Sequence, residues 1–92
     1  MGELRETVEI VNQRGLHARA SAKFVNAVSK LPEGISVMVF KDGAEAHGGS
    51  ILGLMMLGAA KGDSIEIVAS GDGADEVLPR LVGLVMDGFG ED

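Results

Sequence analysis

The stretch Asn12-Gln13-Arg14-Gly15-Leu16-His17-Ala18-Arg19-Ala20-Ser21 decides how the chain is read. Before it, Val8, Ile10 and Val11 make a β-rich apolar run. After it, Ala20, Phe24, Ala27, Val28 and Leu31 recur at the spacing of one helical face. His17 is therefore expected at the cap or in the first turn of a helix, and Gly15 lets the preceding loop turn tightly beside it.

Upstream, Leu4 to Val11 is predicted as a strand with Leu4, Glu6, Val8 and Ile10 on one face, and Glu6 marks an edge or half-exposed position. Downstream, the helix is expected to run from Ala18 to Lys30 and to stop before Leu31-Pro32-Glu33-Gly34. Ile35 to Lys41 alternates, with Ile35, Val37 and Val39 on one side. Lys41-Asp42-Gly43-Ala44 is a hairpin signal, so Ala44 to His47 should pair back. Ser50 is a good N-cap for a short helix over Ile51 to Leu57, and Gly58 a good stop. The apolar residues of that helix go all the way round, so some must face solvent or a partner.

Ser64 to Ser70 reads as the last strand, with Ile65, Ile67 and Ala69 alternating against Ser64, Glu66 and Val68. A final helix carries Ala74, Val77, Leu78, Leu81, Val82 and Val85 on one face. Pro79 conflicts with it, which predicts a late start or a kink. One apolar face per strand favours an antiparallel or mixed sheet covered by helices on one side, an open-faced α+β sandwich.

With 92 residues the chain supports one domain, 1–92, with a modest aliphatic core, since it has three Phe and no Trp or Tyr. A formal charge of −6 argues against nucleic acid, whose phosphates would repel it. The absence of cysteine removes thiol catalysis and thiolate metal sites and fits a reducing compartment. No apolar run is long enough for membrane insertion, and Glu6 stands where a myristoylation signal needs Ser or Thr. The expectation is a cytoplasmic protein, with nothing demanding more than a monomer. A metal site at His17 and His47 would lack its other ligands, so no metal is expected. The glycines have no nucleotide-binding spacing, and no cofactor is expected.

A histidine at a helix N-terminus meets the positive end of the helix dipole, which disfavours the imidazolium by about 0.3 to 1 kcal/mol. The neutral ring keeps a nitrogen lone pair and can act as a nucleophile. A phosphoryl group received there would face unpaired backbone N–H groups. Arg19, and Arg14 beside it, could add positive charge. The plainer reading is that His17 only caps the helix and packs against Leu16.

Gly15-Leu16-His17-Ala18-Arg19-Ala20-Ser21 resembles the active-site signature of HPr, the histidine-containing phosphocarrier of the bacterial phosphotransferase system. Gly49-Ser50-Ile51-Leu52-Gly53-Leu54-Met55 resembles that family's second site, and with the length and the order of elements the likeness covers essentially the whole chain. The resemblance implies a four-stranded open-faced β-sandwich with three helices on one face. It implies a carrier and not a stand-alone catalyst: His17 takes a phosphoryl group on Nδ1 from phosphorylated enzyme I and passes it to a IIA protein or domain, with Arg19 assisting. It further implies regulation by HPr kinase/phosphorylase at Ser50, next to a docking surface of Ile51, Leu52 and Met55. The chain departs from the common pattern at Ala20, where proline is usual, and at Gly49, where lysine is frequent. The competing reading is a purely regulatory binding module controlled through Ser50 and the Met-rich helix. On the residues alone, Ser50 is only an N-cap.

Overall fold

A computed structural model describes residues 2–91. The elements are β1 (Glu3–Glu9), α1 (Ala18–Ser29), β2 (Ser36–Lys41), β3 (Ala44–His47), α2 (Ile51–Met56), β4 (Ser64–Ser70) and α3 (Ala74–Met86). A 3-10 turn at Gly88–Gly90, which no periodicity signals, closes the chain.

The strands form one antiparallel sheet in the order β1-β4-β2-β3, which makes β1 an edge as its Glu6 suggests. The register sets Val8 against Ile65, Ile67 against Val39, and Ala69 against Val37. That side of the sheet meets the apolar faces of the three helices: Ala20 and Phe24 of α1, Leu54 of α2, and Ala74, Val77, Leu78, Leu81, Val82 and Val85 of α3. The result is the open-faced α+β sandwich, with helices on one face only.

Several local expectations need correction. The first strand ends at Glu9 and not Val11, although Ile10 still exchanges backbone bonds with the turn before β4, donating to Asp63 and accepting from Gly62, each at 2.8 Å. Leu4, assigned to the core face, is 40% exposed because it lies toward the outer end of an edge strand. Val68, assigned to the open face, is only 4% exposed. It sits on an inner strand with Arg5 and Met38 directly opposite it on the two neighbouring strands, positions from which cross-strand side chains can cover it without any helix.

The last helix does not start late: it begins at Ala74 after Gly73 at φ +93 and runs through Pro79 to Met86. Pro79 has no N–H for the Asp75 carbonyl, but both residues lie on the exposed side, where water can bond that oxygen. The β2–β3 hairpin follows its sequence closely, with Asp42 at φ +51 and Gly43 at φ +85, both positive as a type I′ turn demands.

Candidate functional site

The loop before α1 is pinned at both ends. Gly15 N–H donates to the Asn12 carbonyl at 3.2 Å, and Leu16 N–H donates to the Ala59 carbonyl at 2.9 Å. Gly15 stands at φ +63, and a Cβ there would lie 2.3 Å from the Ala59 oxygen, so the close approach admits only glycine. Buried Ser21 donates from Oγ to the Leu16 carbonyl at 3.2 Å. The consequence is a fixed position for the next residue, His17.

His17 is the N-cap of α1, in extended backbone at φ −76 and ψ −178. Its carbonyl accepts from Ser21 N–H at 2.9 Å, and its ring Nδ1 accepts from Arg19 N–H at 3.2 Å. The side chain is 20% exposed, so the ring is neither entombed nor free. An Nδ1 that accepts an N–H carries no proton. In the neutral ring the proton is then on Nε2, which lies 2.7 Å from Glu91 Oε2.

Sequence reasoning missed Glu91, since nothing local relates a carboxylate near the C-terminus to a loop 74 residues earlier. Three contacts bring it there. Phe89 is buried to 1% exposure at the end of the core. Lys23 Nζ donates to the Phe89 carbonyl at 2.7 Å. Asn12, itself only 1% exposed, donates from Nδ2 to Gly15 O at 2.8 Å and to Glu91 Oε1 at 3.1 Å. A Phe flanked by glycines in the closing segment is the signal that such a docked turn offers in the sequence.

Burial pushes the Glu91 carboxyl up, but hydrogen bonds from Asn12 and His17 and the positive charge of Arg19 outweigh it and hold the group below its ordinary value. Arg19 is exposed and, with Gln13, Arg14, Lys23, Gly90 and Glu91, lines a cleft of about 350 Å³. Arg14 and Arg19 thus belong to one cationic surface around the His17–Glu91 pair.

Ser50 caps α2 as expected, its Oγ accepting from Gly53 N–H at 2.9 Å. Of that helix only Leu54 is buried; Ile51, Leu52, Met55 and Met56 are 41%, 67%, 39% and 76% exposed. His47 is exposed on β3. Among the described residues no group of three or more His, Asp or Glu could hold a metal ion, and no helix is long and apolar enough to cross a membrane.

Comparison with known proteins places this geometry. The family described as the PTS HPr component phosphorylation site matches residues 4–87. The phosphocarrier protein HPr of Neisseria meningitidis serogroup B is 43% identical over 88 residues, covering 96% of this chain and 97% of that protein. The phosphocarrier protein NPr of Escherichia coli K12 is 37% identical over 92 residues, covering 97% and 98%. A crystal structure of HPr from Thermoanaerobacter tengcongensis superposes with a TM-score of 0.86 at 39% identity, over 100% of this chain and 99% of that one. With its sequence matched almost end to end and its sheet and helices in the same arrangement, this chain belongs to the HPr family of phosphocarrier proteins of the phosphotransferase system.

Proposed function

We propose that His17 accepts a phosphoryl group on Nδ1 from phosphorylated enzyme I and donates it to a IIA protein or domain. The observation that carries the reading is the Nδ1 lone pair, on a partly exposed ring, held at the N-terminus of α1 against the Arg19 N–H. In attack, that lone pair forms the N–P bond while the donor's bond to phosphorus breaks and its electron pair stays with the donor. The ring must first release its 3.2 Å bond to Arg19 N–H, which is long and so gives way at little cost. The freed N–H, with the other unpaired donors of the first turn, then serves the phosphoryl oxygens. The Arg19 guanidinium adds charge-assisted bonds from the same side.

Residues 1–92 act in this reading as one HPr-like domain, a cytoplasmic monomer. Ile51, Leu52 and Met55, exposed on α2, form the apolar docking surface. Ser50 is its regulatory residue and a substrate for HPr kinase/phosphorylase. Phosphorylation at Oγ would place about −1.5 to −2 charge at the start of α2, where the helix itself tolerates it, so partner docking is what changes.

The test is incubation with enzyme I and phosphoenolpyruvate. An acid-labile phosphoryl group should appear and be lost in His17→Ala, while unchanged labelling of that variant overturns the proposal.

A further inference from the structure

We propose that Glu91 is the positioning residue of His17, fixing the imidazole in the tautomer that leaves Nδ1 free to attack. The inference rests on the reading of His17 as the phosphoryl acceptor and adds to it how the correct nitrogen is chosen. In free solution a neutral imidazole exchanges its proton between two nitrogens, and only the form with a bare Nδ1 is a nucleophile at that atom.

Here a carboxylate, which accepts only, stands 2.7 Å from Nε2 and requires a proton on that nitrogen. Across the ring, Arg19 N–H points at Nδ1 and requires a lone pair there. The two contacts demand the same tautomer.

The carboxylate is itself held. Asn12 Nδ2 bonds both Gly15 O at 2.8 Å and Glu91 Oε1 at 3.1 Å, which assigns the two oxygens of Glu91 to different donors. Since a carbonyl can only accept, the bond to Gly15 O fixes which end of the Asn12 amide faces Glu91. The Phe89 anchor and the Lys23 bond to its carbonyl bring the turn to this position.

The arrangement balances through the transfer. As Nδ1 bonds to phosphorus the ring becomes a phosphoimidazolium, its Nε2–H still donating to the Glu91 carboxylate. When the phosphoryl group leaves, the electron pair of the N–P bond returns to Nδ1 and the starting tautomer is restored. No proton has to enter or leave in either direction.

Glu91→Gln provides a sharp test because Asn12 dictates how the new amide sits. Its oxygen must accept from Asn12 Nδ2, which turns its NH2 toward His17 Nε2. That nitrogen is then pressed to accept, which works against the long 3.2 Å Arg19 N–H bond and drives the ring proton toward Nδ1, where it blocks the nucleophile. In a Ser-His-Asp triad the same exchange of carboxylate for amide lowers kcat by roughly 10⁴-fold through the wrong tautomer. Glu91→Ala, by contrast, removes the carboxylate's constraint and leaves only the long 3.2 Å Arg19 N–H bond, so that the tautomers mix.

The experiment compares wild type, Glu91→Gln and Glu91→Ala by 15N NMR of the His17 ring above its titration, and by the rate of labelling with enzyme I and phosphoenolpyruvate. The expected result is a proton on Nε2 in wild type, on Nδ1 in the Gln variant and on both in the Ala variant. Acceptance should fall at least tenfold in the Gln variant and less in the Ala variant. A purely packing role gives the reverse order, since alanine removes more of the side chain. A Gln variant with the wild-type tautomer, or one labelled no more slowly than the Ala variant, overturns the proposal. The NMR measurement uses unphosphorylated protein, so its result is separable from any failure of His17 as the acceptor.

Discussion

Phe89→Ala should loosen the turn at Gly88–Gly90 and, through it, the His17 ring. Phe89 is 1% exposed, stands at φ +57 and has its carbonyl held by Lys23. Left-handed backbone is unfavourable for a side chain of this size, so packing keeps the turn in place. Truncating a buried Phe costs about 3 to 5 kcal/mol where the surroundings stay fixed around the cavity.

This turn has a cheaper response. Gly88 and Gly90 flank it at φ +64 and φ +73, and glycine backbone can swing the turn away from the core. Letting go forfeits the ring's burial, about 2 to 3 kcal/mol, and the backbone entropy regained by the freed residues offsets part of that. Detachment therefore caps the net loss nearer about 2 kcal/mol, a fall in Tm of about 8 to 16 °C for a domain of this size. With the turn goes the Glu91 contact, so the His17 ring should show both tautomers by 15N NMR. Thermal unfolding and the ring spectrum are measured on the same sample. An unchanged Tm, or a full loss of about 5 kcal/mol with the tautomer still fixed, would refute the idea that the turn docks as a unit and carries Glu91 with it.

Two other outcomes follow from the same geometry. Gly15→Ala should be strongly destabilising and should impair phosphoryl acceptance, because its Cβ would overlap the Ala59 carbonyl 2.3 Å away and break the Leu16 N–H bond that places His17; denaturant unfolding and the labelling assay read both effects. The depressed Glu91 carboxyl should add stability that is fully present above the unfolded-state value of about 4.3 and is lost as pH falls through the lower folded-state value. The stability difference between wild type and Glu91→Ala, followed by urea unfolding, should therefore shrink as the pH is lowered through that range, and a constant difference contradicts the assignment.

Much of the architecture was legible because it is written in local periodicity and local capping. The 3.6-residue spacing of Ala20 and Phe24, the alternation of Val37 and Val39, the Asp42-Gly43 turn and the Ser50 cap each depend on residues within one or two turns of chain. His17 at the start of α1 was readable for the same reason.

What local patterns could not decide was anything requiring the chain to return on itself. Strand order is one case: β4 enters between β1 and β2, and this buries Val68 on a face that alternation assigns to solvent. Pro79 is another, since its tolerance depends on facing water and not on its neighbours in sequence. Glu91 is the third and the most consequential for chemistry. The amino-acid sequence by itself determined that a histidine with a usable lone pair would cap a helix. Only the tertiary structure decided what faces the other ring nitrogen, because the carboxylate beside Nε2 reaches His17 through the packing of Phe89 against the core and the hydrogen bond from Asn12.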